Sequence, residues 1–153
     1  MTDDFREFLE ALLAARVTFL VVGAHALAVH GTPRATGDLD IWVRADLVNA
    51  KRILEALTAF GAPIDDLRIK VEDFAKAGIV AQLGLPPYRI DILTSISGVD
   101  FDPAWTGRIE GVVAGITVPV LAREDFIRNK RASGRTKDLA DIEYLERSRK
   151  ARL

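Results

Sequence analysis

The fold of this chain is decided by residues 17–43, which read VTFLVVGAHALAVHGTPRATGDLDIWV. Residues 17–22 form a continuous apolar run rich in β-branched side chains, which predicts a strand covered on both faces. Gly23 interrupts this run, and residues 24–29 predict a short helix that ends at Gly31. The stretch therefore begins as a strand, a glycine and a helix.

The second half of this stretch contains two acidic residues on one predicted strand. Residues 32–37 have the composition of a loop. Residues 38–43 alternate polar and apolar side chains, apart from Trp42, as a half-buried strand does. Because residues two apart on a strand point to the same face, Asp38 and Asp40 are expected side by side, with the apolar residues between them facing the core.

The remainder of the chain predicts interleaved helices and strands. Helical spacing of apolar residues is found in residues 4–15, 47–60, 123–132 and 135–147, with a helical turn at 73–77. Strand patterns are found in residues 79–83, 88–93, 108–113 and 116–121. We expect an α/β (α+β) fold, a mixed β-sheet flanked by helices. Residues 1–153 are expected to form one domain, with a catalytic sheet core at 1–121 and C-terminal helices packed on it at 122–153.

Composition narrows the function classes. Hydrophobic residues make up 49% of the 153 residues and charged residues 28%, which is ordinary for a globular protein. The formal net charge of −1 argues against a strongly basic nucleic-acid binder. Cysteine is absent, which excludes disulfides, thiolate nucleophiles and thiolate zinc sites. A metal must therefore be bound by oxygen or imidazole, and carboxylates favour Mg²⁺ or Mn²⁺.

The first residues and the longest apolar run argue against export and membrane insertion. Acidic residues stand at positions 3 and 4, where a signal peptide would be basic. The apolar run at 17–22 is too short to span a bilayer. We expect a soluble, cytoplasmic protein without a membrane partner.

Three carboxylates are candidates for a catalytic site. Asp38 and Asp40 share a predicted strand, and Asp91 lies between Ile90 and Ile92 in another apolar run, where an acid is costly to bury unpaired. Divalent cations relieve the repulsion of clustered carboxylates, and such cations can clamp the reacting oxygens of a phosphoryl transfer. The alternatives are that Asp38 and Asp40 lie on a solvated strand face, and that Asp91 is an outward residue of an edge strand or an ion-pair partner of Arg89 or Lys70.

The strand–glycine–helix unit favours the catalytic interpretation. A glycine at a strand end lets the backbone approach a phosphate closely, and a following helix offers unpaired N–H groups to an anion. A phosphate cradle next to metal-binding acids makes a phosphoryl-transfer site.

These residues resemble a known superfamily. Val22-Gly23-Ala24 followed by Asp38-Leu39-Asp40-Ile41 resembles the DNA polymerase β-type nucleotidyltransferases. In their pattern an apolar residue precedes a glycine, the next position is Gly or Ser, and a spacer leads to a strand with the order acid, apolar residue, acid. Residues 22–31 followed by residues 34–40 are similar to the bacterial branch that includes the AbiEii-type toxins of type IV toxin–antitoxin systems. That branch also has a late motif similar to residues 126–130 and 134–141, which read FIRNK and GRTKDLAD.

The resemblance implies a nucleotidyltransferase fold and roles for individual residues. Asp38 and Asp40 would bind the metal ions, and Asp91 would bind one of them and help to deprotonate the acceptor hydroxyl. Gly23 would line the triphosphate site. Ala24 departs from the pattern: it supplies a backbone N–H but no hydroxyl for the terminal phosphate.

Four further polar residues are candidates for substrate contact. Arg34 could neutralise phosphate charge or pair with a nearby acid, and Thr36 could orient Asp38 or stabilise its loop. Lys130 and Lys137 match the late motif and are expected to meet nucleotide phosphates or the acceptor. Their alternative is a solvated helix face, with Asp138 or Asp141 pairing along it.

The expected reaction transfers a nucleoside monophosphate from a nucleoside triphosphate, with ATP as the expected donor, to an acceptor hydroxyl and releases pyrophosphate. Mg²⁺ or Mn²⁺ is the expected cofactor. The acceptor would be a tRNA, a protein or a small molecule, and a cognate toxin or antitoxin would be a partner. The alternatives are a non-catalytic, antitoxin-like binding module, which Ala24 favours, and a metal-dependent phosphohydrolase that uses the same acids on water.

Overall fold

A computed structural model describes residues 3–31, 37–85 and 88–152 of the chain. The helices are α1 (Asp3–Ala14), α2 (Gly23–Val29), α3 (Leu47–Phe60), α4 (Ile64–Leu67), α5 (Phe101–Thr106), α6 (Arg123–Ser133) and α7 (Thr136–Arg152), with one 3₁₀ helix at Val71–Ala75. The strands are β1 (Phe19–Val22), β2 (Leu39–Val43), β3 (Val80–Leu83), β4 (Ile90–Leu93), β5 (Ile109–Val113) and β6 (Ile116–Val120).

The six strands form one mixed sheet in the order β3-β4-β2-β1-β6-β5. β2 lies near its middle, antiparallel to β1 and parallel to β4. β1 is parallel to β6, and the hairpins β3–β4 and β5–β6 are antiparallel. The predicted α/β fold, a mixed sheet flanked by helices, is confirmed.

The central strands are fixed by what their side chains bury. All four residues of β1 are buried, as its continuous apolar run predicts. On β2, Leu39 and Ile41 are fully buried on one face, so that Asp40 and Trp42 point to the other. Helix α1 adds Phe5, Phe8, Leu9 and Leu12 to the same core.

Helix α3 has the bounds that its apolar spacing predicts, and both ends have a physical cause. Asp46 caps the first turn, where its side chain accepts a hydrogen bond from the Asn49 N–H at 2.7 Å. Gly61 ends the helix in the left-handed conformation. Helices α4 and α5 were not predicted, because four and six residues are too few to establish a helical period. None of the described helices combines the length and the apolar character needed to cross a membrane.

Candidate active site

Two carboxylates meet at the centre of the sheet. In the parallel pairing of β2 and β4, Asp40 is the register partner of Asp91, and Leu39 and Ile41 are the partners of Ile90 and Ile92. Asp91 is buried, with 8% of its surface exposed. Residues paired in register point to the same face of a sheet. Strands β2 and β4 therefore present two acids side by side.

Arg89 connects this pair to the third predicted acid. Its Nε donates to Asp91 Oδ1 at 2.8 Å and its Nη2 donates to Asp91 Oδ2 at 3.1 Å, a bidentate pair. The same Nη2 donates to Asp38 Oδ2 at 3.3 Å. The predicted alternative of an Arg89–Asp91 ion pair therefore exists in the structure, and it occurs within the acid cluster rather than on a solvated strand face.

The electrostatics of the site centre on Asp40. Burial raises the pKa of Asp40 to about 6, and repulsion from Asp91, a hydrogen bond with Asp91 and repulsion from Asp38 add to that rise. The positive charge of Lys130 opposes the rise. A carboxylate pair in which one member resists ionisation attracts a cation, because a cation removes the repulsion.

The raised pKa makes stability depend on pH in a defined direction. The native pKa of about 6 lies above the ordinary 3.8, so the native state binds more protons than the unfolded state between these values. The ionisation of Asp40 therefore lowers wild-type stability as pH rises from about 4 to about 6. In metal-free buffer at pH 7.5, we expect Asp40→Asn to raise the free energy of unfolding by about 1–2 kcal/mol, after allowance for partial exposure.

Urea unfolding at pH 4.5 and pH 7.5 measures this effect. The gain from Asp40→Asn should shrink at the lower pH, where native Asp40 is already protonated. Asp102→Asn is the control, because the Asp102 side chain is 71% exposed and its ion pair with Arg44 lies at the protein surface. A gain that is equal at both pH values would contradict the role of Asp40 ionisation.

Gly23 lies directly against Asp40. It follows β1 with a φ of +68°, in the left-handed region that favours glycine. A Cβ at this position would overlap Asp40 Oδ2 and would lie 3.0 Å from Asp40 Cγ. Only a residue without a side chain leaves room for the carboxylate here. Gly23 therefore allows the Asp40 carboxylate to occupy its position, in addition to any contact that Gly23 makes with a phosphate.

A cavity of about 520 Å³ opens over the acids. Its lining includes Val22, Gly23, Asp40 and Asp91, together with Lys130 of α6 and Arg135, which lies between α6 and α7. Further polar side chains also line the cavity: Ser95, Ser97, Asn129 and Ser133. The cavity therefore combines anionic groups on the sheet with cationic groups from the C-terminal segment.

Close packing sets the distance between α6 and the sheet. Asn129 of α6 donates from Nδ2 to the Ser97 carbonyl oxygen at 2.9 Å. A Cβ on Gly98 would lie 2.5 Å from Ala132 Cβ of α6, so the helix rests directly on the loop after β4. Helix α6 is thus anchored to the strand that carries Asp91.

The other predicted site residues differ in whether they line the cavity. Lys130 lines the cavity, whereas Lys137 is exposed and does not, and Ala24 is partly buried beside Gly23 without lining it. Arg34 and Thr36 lie outside the described residues. Of the two lysines predicted to meet the phosphates, Lys130 is thus the one that the fold brings to the acids.

The alternative of a solvated face is wrong for the acids of the late motif. Asp138 is fully buried and Asp141 is 2% exposed. Burial alone would raise the pKa of Asp138, but hydrogen bonds from Arg135 and Lys130 and their positive charges hold it below its ordinary value. These carboxylates are therefore interior anions that require cationic partners.

The two histidines occupy interior positions on or beside α2. His30 Nε2 lies 2.8 Å from the Leu121 carbonyl oxygen, to which it can donate. His25 is buried with its ring edge-on to Phe5, and burial lowers its pKa. Neither histidine lines the cavity.

The sequence patterns predict Arg89 only as an ion-pair partner of Asp91, and they do not predict Arg135 as a site residue. Arg89 stands two residues before Asp91 on the same chain segment, a spacing that predicts a shared face and agrees with the observed contact. Arg135 stands three residues before Asp138, a helical spacing that pairs side chains. What the sequence did not contain was the burial of Asp138, which makes that pair part of the interior.

Similarity to known proteins lies at the level of the fold. No protein-family model matches the sequence, and no curated protein is significantly similar to it. A solved structure from Thermotoga maritima, of a protein provisionally assigned as a nucleotidyltransferase, matches this chain with a TM-score of 0.57 and 19% sequence identity over 95% of this chain and 88% of that one. The chain has a nucleotidyltransferase-type fold. At this identity the likeness establishes the fold, and membership of the AbiEii-type branch stays a prediction.

Proposed function

We propose that this protein is a metal-dependent nucleotidyltransferase that moves a nucleoside monophosphate from a nucleoside triphosphate to an acceptor hydroxyl. The observation that carries the proposal is the register of Asp40 with Asp91, in a cavity that the cationic Lys130 and Arg135 also line. An acid pair that shares a cavity with basic residues can accommodate both a divalent cation and the phosphate chain that it accompanies.

The donor set fits a hard divalent cation. Asp40 and Asp91 offer carboxylate oxygens, and the pKa of Asp40 is raised first by burial and then by repulsion from the neighbouring acids, which a cation would relieve. In the described part of the chain, no three carboxylate or imidazole groups are clustered closely enough to enclose a metal. Mg²⁺ is commonly bound through one or two carboxylates, with water and substrate phosphates completing its shell, so the pair suffices. Asp38 as a further ligand stays a prediction.

When bound, Mg²⁺ or Mn²⁺ would neutralise charge on the phosphates and orient the reacting oxygens. The acceptor oxygen attacks the α-phosphorus, the bond from that phosphorus to the bridging oxygen of the β-phosphate breaks, and pyrophosphate leaves. Asp91 accepts the hydroxyl proton. Each of its oxygens takes one hydrogen bond from Arg89, and a carboxylate oxygen has a second lone pair for this role.

Lys130 is the residue that we propose to contact the phosphates. It lines the cavity and its side chain is only 12% exposed, so its charge is held near the acids rather than dispersed in solvent. A cation at a partly desolvated site stabilises the charge that develops on a transferring phosphoryl group. Gly23 lines the cavity, and its lack of a side chain leaves room for the Asp40 carboxylate there.

The finer assignments rest on the family resemblance of the sequence. We propose ATP as the donor and a tRNA, a protein or a small molecule as the acceptor, in a toxin–antitoxin context. With a net charge of −1 the protein has no strong long-range attraction for a polyanion, which favours an acceptor other than a long nucleic acid.

Labelled nucleoside triphosphates test the proposal. The protein is incubated with each of the four, Mg²⁺, and either tRNA or a lysate, beside an Asp38→Ala/Asp40→Ala variant. We expect acceptor-linked label and pyrophosphate from the wild type, and at least a ~10³-fold lower rate from the variant, because the acids act on the transition state.

The products separate this function from its rivals. Release of label as free nucleotide, with none attached to an acceptor, would identify a phosphohydrolase. Calorimetry that detects no binding of any Mg²⁺–nucleotide would identify a non-catalytic module. Equal transfer by the wild type and the double variant would rule out the proposed mechanism.

A further inference from the structure

One buried carboxylate on α7, that of Asp138, binds two cations that line the cavity. Asp138 has a fully buried side chain and accepts a hydrogen bond at Oδ1 from Lys130 Nζ at 3.3 Å. Arg135 donates to it twice, from Nε to Oδ2 at 2.8 Å and from Nη2 to Oδ1 at 3.3 Å. Because a buried carboxylate is stable only when paired, the positions of both cations are coupled to that of Asp138.

The two cations are presented to the cavity in different ways. Lys130 is 12% exposed and also lies 3.8 Å from Asp141 Oδ2. The Arg135 side chain is 71% exposed, although one edge of its guanidinium is fixed on Asp138. A guanidinium has five N–H donors, so an edge remains that matches the geometry of a phosphate. Arg135 is therefore an anchored fork at the rim of the site.

We infer that Arg135 is a second phosphate-binding residue and that Asp138 is a positioning residue, which orients Arg135 and Lys130 towards the phosphate chain of the donor nucleotide. This inference rests on the proposed function. Asp138 itself has no exposed surface and does not line the cavity, so its effect on a substrate must pass through its partners.

Lys137 provides a matched comparison. It lies two residues after Arg135, is exposed and carries the same charge, but it does not line the cavity. A general effect of positive charge on nucleotide binding would be similar for the two residues. A specific contact would belong to Arg135 alone.

A purely structural role for Asp138 is the competing explanation, since it also joins α6 to α7. A structural clamp would change the melting temperature, and any loss of binding would follow from unfolding. A positioning residue would change binding only while its partners are present. A double-mutant cycle separates these cases.

Calorimetry with Mg²⁺–ATP and with tripolyphosphate on the full chain performs the test. We expect Arg135→Gln to weaken both ligands about 10- to 30-fold, because a charge-assisted bidentate contact is lost. Lys137→Gln should stay within about twofold of the wild type, and Arg135→Lys should recover only part of the loss, because an ammonium cannot form the bidentate contact. Asp138→Asn should weaken binding about tenfold in the wild type and about twofold or less in an Arg135→Gln/Lys130→Met background.

Two outcomes would overturn the inference. One is Arg135→Gln binding no more weakly than Lys137→Gln. The other is an effect of Asp138→Asn that persists undiminished in the double-variant background. Arg135 is exposed, so its variant tests the inference even if Asp138→Asn fails to fold. A wild type that binds tripolyphosphate through Arg135 but transfers no nucleotide would refute the proposed function and leave this inference standing, whereas absence of binding would refute both.

Discussion

Asp91→Asn is expected to lower nucleotide transfer about 10³-fold at saturating Mg²⁺ and nucleotide, since it removes both a proposed metal ligand and the proposed proton acceptor. The neutral amide keeps the size of the side chain on β4. Transfer rates with labelled nucleoside triphosphate measure the effect, and Mg²⁺ affinity should fall with them.

Arg89→Met separates the chemistry from the ion pair. Asp91→Asn weakens the contacts of Arg89 with Asp91, so a loss of stability alone could reduce the rate. Arg89→Met breaks the same contacts but leaves the carboxylate. We expect this variant to retain Mg²⁺ binding. Its activity should be at least about tenfold higher than that of Asp91→Asn, a ratio that corresponds to about 1.4 kcal/mol of activation free energy. If the two variants lost equal activity and equal stability, Asp91 would have only a structural role.

Gly23→Ala is expected to lower the free energy of unfolding by about 2–5 kcal/mol and to abolish Mg²⁺ binding. The left-handed backbone at a φ of +68° accounts for about 1–2 kcal/mol of this loss. The overlap of the new Cβ with the Asp40 carboxylate accounts for a further ~1–3 kcal/mol, since either group must shift. Chemical denaturation measures the stability, and calorimetry measures the metal affinity.

Gly61→Ala is the matched control. Gly61 has a φ of +88°, and a Cβ added there would have no neighbouring atom within 4 Å, so this change carries only the backbone strain. Adding Asp40→Ala to Gly23→Ala should restore part of the stability, because it removes the overlapping carboxylate. If Gly23→Ala and Gly61→Ala cost the same, or if the added change restores nothing, Asp40 is not what requires glycine at position 23.

Local sequence was sufficient to predict the central part of the fold. The apolar run of β1 and the acid–apolar alternation of β2 each have the pattern of a strand. The bounds of α3 follow from apolar spacing between an aspartate cap and a glycine. Asp91 could be selected as a candidate because an acid in an apolar run needs a partner.

What escaped prediction depends on contacts between distant segments. Nothing near Asp138 in the sequence states that it is buried, since its neighbours Lys137 and Leu139 are exposed. The pairing of Arg89 with Asp38 depends on the parallel register of β2 and β4, which joins residues 51 positions apart. Hydrophobic periodicity and composition describe one segment of sequence at a time, whereas the burial of Asp138 and the Arg89–Asp38 pair arise only when the sheet and helices have assembled.

The cavity draws its lining from widely separated parts of the chain: Val22, Gly23 and Asp40 come early, and further lining residues lie within 91–97 and 129–135. During synthesis the acids therefore emerge long before Lys130 and Arg135. A nascent chain that has folded only its sheet has the acids and their partner Arg89, but it lacks the two cations that the C-terminal segment brings to the cavity. If the proposed function holds, transfer would begin only after α6 and the segment that follows it had left the ribosome and packed on the sheet, and its onset would report that this packing is complete.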